Sequence, residues 1–197
     1  MNTNKLKAKD LITVAIFTVV MIVIYFIVSM TFGMVPLAYP FLVAVISIPG
    51  GIVWVYVRVK VPKRFAILIQ CIVITLVFML LGIGWWLALG FLGGGVLAEL
   101  ISGAGKYRNF ALNTVGFAAL MFCVHLGGFL PTLMARDWYY EFCVTGGMTA
   151  EWTQTLLDFM SWQVMLFTGI LSIAGAAIGM LLGKAMLKKH FERAGVA

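Results

Sequence analysis

The sequence predicts an all-α membrane protein: a bundle of six transmembrane helices, both termini in the cytoplasm, and a long outer loop holding a short amphipathic helix. Three observations carry that expectation. Hydrophobic residues make up 63% of the 197-residue chain and charged residues 11%, with a mean hydropathy of +1.07; such a composition cannot clothe a soluble domain in polar surface. Uncharged runs long enough to cross a hydrocarbon core, about 20 helical residues each, recur along the chain. Basic residues gather at every second break between those runs.

Taken in order, no charged residue lies between Asp10 and Arg58, which leaves room for two crossings, at 10–30 and 37–57. Gly33 and Pro36 punctuate the run between them. Phe65 to Ala98 is again uncharged, and Gly82-Ile83-Gly84-Trp85-Trp86 folds it into a hairpin of spans 65–82 and 86–103, the second arm extending past Glu99. Spans five and six fall at 110–133 and 161–187. Five spans with a re-entrant segment is the alternative count. Lys5, Lys7 and Lys9 precede span one, and Arg58, Lys60, Lys63 and Arg64 separate spans two and three. Lys106 and Arg108 separate spans four and five, and Lys184, Lys188, Lys189 and Arg193 follow span six. Thirteen of the fourteen basic residues thus share one side, and only Arg136 falls opposite. Cytoplasmic loops concentrate Lys and Arg, so that side is assigned to the cytoplasm of a multi-pass cell-membrane protein. The net charge of +7 then reports topology and contact with the lipid bilayer's anionic headgroups, not nucleic acid. One transmembrane domain, 1–197, accounts for the whole chain.

The one long loop, Leu133 to Met160, contains Arg136, Asp137, Trp138, Tyr139, Tyr140, Glu141 and Phe142, then Gly146-Gly147. Beyond that turn, Trp152, Leu156, Phe159 and Met160 recur at helical spacing, with Thr149 placed to cap the helix and Glu151 in its first turn. The aromatic cluster fits either an interfacial belt or a lid over a pocket. Trp85 and Trp86 stand beside it at an outer turn, and Trp162 opens span six. His125, on the outer half of span five, suits an interhelical hydrogen bond, or a ligand-contacting donor or axial ligand to a metal-containing substrate. Gly127, Gly128 and Pro131 would loosen the helix above it. Glu99 reads as an interfacial ion pair with Lys106 and Arg108, and Gln70 and Asn113 as interhelical hydrogen-bonding groups. Gly175, Gly179 and Gly183 form a stripe for close helix approach, within the bundle or to a partner, and Gly90 and Gly94 repeat the spacing in span four. Cys71, Cys123 and Cys143 form no CxxC pair.

No P-loop, nucleotide fingerprint, HExxH or serine elbow occurs. No second His stands at metal-ligand spacing from His125, no acidic pair lies within the spans, and no inverted repeat is detectable. The expectation is therefore a binding protein rather than an enzyme, with no cofactor or resident metal of its own, that needs a partner to supply energy.

The opening KLKAKDLITVAIFT from Lys5 to Thr18 and the closing GKAMLKKHFERAGVA from Gly183 to Ala197 carry a resemblance over the whole length. With GAGKY from Gly103 to Tyr107 and the Arg136-Asp137 pair, the chain resembles the Trep_Strep (MptS-like) family, regarded as S components of energy-coupling factor (ECF) type ABC importers. The resemblance implies a six-helix bundle that takes a vitamin-like small molecule from outside. It also implies association with a transmembrane coupling subunit and two cytoplasmic ATPases. S components carry small residues four apart on span one, facing the coupling subunit. Here Ala8 and Ala15 are seven apart and Ala15-x-x-x-Val19 is a degenerate match, so Gly175, Gly179 and Gly183 are candidates to complete the docking face. The expected substrate site comprises Trp85, Trp86, His125, Arg136, Asp137, Trp138, Tyr139, Tyr140 and Trp162, gripping a planar micronutrient. Haem or a metal chelate is the more specific guess, while flavins, pterins and cobamides suit an aromatic box equally. A membrane enzyme using His125 with Asp137 or Glu141, or an accessory structural subunit, are the alternatives.

Overall fold

Each uncharged run becomes one helix, and the breaks fall where the backbone is forced out of helical geometry. The structure is a computed structural model describing residues 5–193. The closing residues 194–197 and the side chains of His190 and Arg193, which the sequence assigns to the basic tail, lie outside the described residues. The helices are α1 (Ala8–Phe32), α2 (Leu42–Lys60, entered through a 3-10 turn at Tyr39–Phe41), α3 (Ala66–Leu80), α4 (Trp85–Ala104), α5 (Phe110–Phe129), the single turn α6 (Pro131–Met134), α7 (Arg136–Thr145), α8 (Ala150–Phe159) and α9 (Trp162–Arg193). No strand occurs among the described residues.

The local signals are chemical. Asp10 accepts from the Lys7 amide at 2.7 Å and from Lys63 Nζ at 2.6 Å, tying the start of α1 to the α2–α3 connection. Gly82 (φ 78°) and Gly147 (φ 96°) end α3 and α7. In each turn the next amide reaches back five residues, Ile83 to Phe78 at 2.9 Å and Met148 to Cys143 at 3.0 Å, a closure that needs a left-handed residue and so favours glycine. Asn109 caps α5 by accepting from the Leu112 amide at 3.0 Å. Thr149 caps α8, accepting from the Trp152 amide at 3.2 Å. The expected amphipathic helix after Gly146-Gly147 is therefore α8. The stretch before it is helical as well, as α7.

Among the described residues, five helices are long and apolar enough to cross a membrane: Ala8–Phe32, Tyr39–Lys60, Trp85–Ala104, Phe110–Met134 and Trp162–Lys189. The third expected span is a 15-residue helix, α3. At 1.5 Å per residue it is about 22 Å long, short of a hydrocarbon core of about 30 Å. It is cut at one end by left-handed Phe65 (φ 68°) and at the other by Gly82.

The six longer helices close into a ring in the order α1, α2, α9, α5, α4, α3 and back to α1. Two seams dominate it. At α2–α9, a Cβ on Gly51 would stand 2.7 Å from the Gly179 carbonyl carbon, and one on Gly175 or Gly179 would run into the Ala44 or Ile48 carbonyl oxygen. At α4–α5, a Cβ on Gly90 would stand 2.6 Å from Cys123 O, and one on Gly127 2.6 Å from Trp86 O. This corrects the docking assignment of Gly175, Gly179 and Gly183: all three are buried against α2 of the same chain, which occupies the face a partner would need. Ala8 and Ala15 do lie on the exposed side of α1. Inside the ring, Tyr25, Phe78 and Phe91 meet edge-on at 5.4–5.7 Å, and Tyr25 and Phe91 border a void of about 20 Å³. Buried hydroxyls on Thr18, Ser47 and Thr75 bond back to carbonyls one turn earlier, which satisfies them in an apolar medium. Large apolar side chains such as Ile12, Ile27, Leu100, Ile170 and Leu181 point outward, a surface suited to hydrocarbon rather than water.

Candidate functional site

Polar and aromatic groups concentrate at the two ends of the ring. At the end bearing α7 and α8, Arg136 pins the two short helices together. Its Nη1 donates to Leu157 O at 2.8 Å and its Nη2 to Asp158 Oδ1 at 2.7 Å. The guanidinium thus sits at the C-terminal end of α8, where unpaired carbonyls favour a cation. Gln154 Nε2 reaches the same Asp158 oxygen at 2.9 Å.

Trp85 stacks on Trp86 with centroids 4.5 Å apart and meets Trp138 at 6.1 Å; Trp138 stacks on Phe142 at 5.2 Å. Gly84 lets α7 approach this cluster, since a Cβ there would stand 3.2 Å from both the Trp138 and Phe142 rings. A second aromatic chain runs inward. Trp152 of α8 meets Tyr39 at 5.4 Å, Tyr39 meets Phe129 at 5.4 Å, and Phe129 meets His125 at 5.0 Å. Tyr139 is buried, and burial pushes its hydroxyl well above the usual tyrosine range, with Tyr39 and Cys143 adding to the effect. Burial likewise raises the Cys143 thiol. Between α8 and the end of α1 lies a cavity of about 540 Å³ lined by Phe26, Ser29, Met30, Gly33, Met34, Met148, Thr149 and Trp152, among others. The Trp152 indole N–H is buried and has no hydrogen-bond partner.

The expected site residues therefore separate. Trp85, Trp86 and Trp138 form one cluster, and Tyr139 lies on the buried side of α7. Arg136 is engaged by α8. Asp137 is exposed and Tyr140 half-buried on the core. Trp162 is 53% exposed. His125 is fully buried between α5 and α9: its Nε2 donates to Met165 O at 3.0 Å, with Thr168 Oγ1 at 3.2 Å, the interhelical geometry that was one of its two sequence readings. Sequence reasoning missed Trp152, Met30, Met34 and Met148 as cavity residues. Trp152 was legible only as one point of a helical stripe, and nothing in α1 signalled that its end would meet α8.

The opposite end carries the basic loops and a buried ion pair. Arg58 (3% exposed) and Glu99 (7%) stand 3.7 Å apart, Nη2 to Oε2. Glu99 Oε1 accepts from the Phe65 amide. The Arg58 guanidinium carbon lies 5.3 Å from the Trp54 ring and 5.1 Å from the Tyr107 ring. This corrects the pairing expected for Glu99, whose partner comes from α2 rather than from nearby Lys106 or Arg108. Burial, with Glu99 behind it, raises the Tyr107 hydroxyl. Trp54, one helical turn before Arg58, was the signal available in the sequence. Among the described residues, no group of three or more His, Cys, Asp or Glu stands ready to hold a metal ion.

A closed ring of apolar helices with charge confined to its ends defines a multi-pass integral membrane protein. The chain belongs to the family described as hypothetical bacterial integral membrane protein (Trep_Strep), whose model matches residues 8–193. No curated protein and no solved structure matches it.

Proposed function

We propose that this protein is the substrate-binding S component of an ECF-type ABC importer, a six-span receptor with both termini in the cytoplasm that captures a small, planar, vitamin-like micronutrient from outside. The observation that carries the proposal is the roughly 540 Å³ cleft between α8 and the end of α1, walled on the α8 side by Met148, Thr149 and Trp152, whose buried indole N–H has no hydrogen-bond partner. Methionines at 30, 34 and 148 give it a polarizable wall that adapts to a flat apolar ligand; Trp152 adds a ring face and one donor to fix orientation. The Trp85, Trp86 and Trp138 cluster holds α7 against the start of α4 through aromatic contacts. Arg136, joined to Asp158, acts on the lid and not on the ligand. Ring closure by α3 supports six crossings, with the bilayer thinned or α3's flanking residues reaching to the interface to offset its length.

The chain contributes no energy source, so a transmembrane coupling subunit and two cytoplasmic ATPases complete the machine. The exposed side of α1 around Ala8 and Ala15 is the docking face left once the glycine stripe is assigned to α2. In the proposed role the protein performs no chemistry on its ligand. An enzymatic role would need His125 joined to Asp137 or Glu141, and its described hydrogen bonds go to α9 instead. Purification from the native host tests the proposal: two ATPases and a membrane coupling subunit should co-isolate, and absorption and mass spectra of the extract should reveal the bound molecule. Trp152→Ala should weaken retention of that molecule at least tenfold, about 1.4 kcal/mol. Isolation of a lone subunit that turns over a substrate would overturn it.

A further inference from the structure

The buried Arg58 has more donors than the protein uses. None of its Nε, Nη1 and Nη2 atoms has a hydrogen-bond partner, and its 3.7 Å approach to Glu99 is an ion pair too long for a hydrogen bond. The facing acceptor, Glu99 Oε2, is also buried and without a hydrogen-bond partner, so the five N–H donors of Arg58 are charge-compensated but not hydrogen-bonded, an expensive arrangement that an added acceptor would relieve. Arg58 lines a cleft of about 380 Å³ between α2, α5 and α9. The other polar side chains on that cleft are Tyr107, Arg108, Asn113 and Lys184, and no carboxylate lines it. Glu99, the ion-pair partner of Arg58, borders the neighbouring cavity of about 820 Å³ together with Lys63, Arg64, Lys106 and Arg108. Asn113 donates through Nδ2 to Tyr107 O at 3.1 Å, while its buried Oδ1 has no partner. Lys184 Nζ is held 4.6 Å over the Phe110 ring. The remaining wall is apolar, with Val55, Val59, Met180 and Leu187.

We propose that this cleft binds the headgroup of an anionic glycerophospholipid that bears a free hydroxyl. The phosphate lies among Arg58, Arg108 and Lys184, and the hydroxyl donates to Asn113 Oδ1. The glycerol and upper acyl chain cover the apolar wall. A free phosphate anion shares the first contact, but it would leave that wall bare and Asn113 Oδ1 without a donor. Basic pockets between transmembrane helices at one interface are suited to such headgroups. The inference is independent of the transport proposal.

The test uses the purified full chain in detergent, with binding read by native mass spectrometry and by thermal unfolding. The probes are dioctanoyl phosphatidylglycerol, dioctanoyl phosphatidylcholine and inorganic phosphate at equal concentration. Phosphatidylglycerol should be retained one-to-one and raise the midpoint, while the other two should do neither. The exposed pair Arg108→Ala/Lys184→Ala should weaken that binding at least tenfold. The pair Lys7→Ala/Lys9→Ala removes the same charge from the same end and should leave it unchanged. Equal weakening by both pairs would reduce the effect to diffuse charge and overturn the site. Equal retention of phosphatidylcholine, or displacement of phosphatidylglycerol by inorganic phosphate, would overturn it on the unmodified chain alone.

Discussion

Glu99 performs two tasks, accepting the Phe65 amide and compensating Arg58, so its loss leaves a buried cation with nothing opposite. Removing one partner of a buried pair costs about 3–5 kcal/mol, whereas replacing both with apolar groups is close to neutral. Glu99→Gln should therefore lower the unfolding midpoint markedly in detergent, and Glu99→Gln combined with Arg58→Met should recover most of the loss. A double variant as unstable as the sum of the singles would show that the pair is not coupled. Lys106 offers the opposite sign. It holds φ 51° at the position after α4 where the chain turns back, Tyr107 N to Ser102 O at 2.9 Å. A left-handed conformation costs a residue with a Cβ roughly 1 kcal/mol relative to glycine. Lys106→Gly should stabilise the protein by about that amount in denaturant titration; a loss would mean that the lysine side chain supplies a contact worth more than the strain. From the sequence Glu99 was legible as an ion-pair residue but its partner was not, and the left-handed backbone of Lys106 left no signal. Charges adjacent in the chain look like partners, and the partner across helices is set by packing that spacing does not encode.

At the scale of elements, the glycine spacing did encode packing, but not its direction. Residues four apart in α9 announce a close helix neighbour, and only the ring closure makes that neighbour α2. The consequences are graded by geometry. A methyl on Gly179 would run into Ile48 O, one on Gly183 would meet Ile52 Cα at 3.0 Å, and one on Gly93 would meet nothing within 4 Å. Overpacking a tight contact costs about 1–3 kcal/mol, while glycine in a helix costs about 1 kcal/mol relative to alanine. Gly179→Ala should destabilise most and Gly183→Ala less, and Gly93→Ala should be neutral or stabilising, ranked by thermal midpoint. If Gly179→Ala is neutral, the α2–α9 seam is not in backbone contact. The α7 helix was the element least legible. Its acids and aromatics resemble an irregular loop, yet Tyr139 and Cys143 are buried four apart and Trp138 stacks on Phe142 at the same spacing, a helical repeat too short to stand out beside the membrane runs.

For the whole molecule, composition and the positions of Lys and Arg were enough to anticipate an all-helical membrane protein. The shortness of α3 and the pairing order of the ring were not, because both follow from contacts distant in sequence. The proposed orientation turns on which end faces outward, and thiol chemistry can test it. Cys143 is buried and its thiol is raised, so little thiolate exists at neutral pH and a maleimide should react slowly with it. Cys71 is buried and Cys123 partly so, both within the helices of the ring. That leaves a low background for introduced cysteines. Met148 lines the α7–α8 end cavity and is 40% exposed, and Lys7 is exposed at the basic end. In intact cells a membrane-impermeant maleimide should label Met148→Cys and spare Lys7→Cys, which should react only after permeabilisation. The opposite pattern would invert the protein and place the cavity in the cytoplasm. The same variant also reports on the lid: the molecule that co-purifies, added back, should slow labelling at position 148 and leave position 7 unaffected. Unchanged labelling at position 148 would place the ligand elsewhere, because position 148 shares its cleft with Met30, Met34 and Trp152.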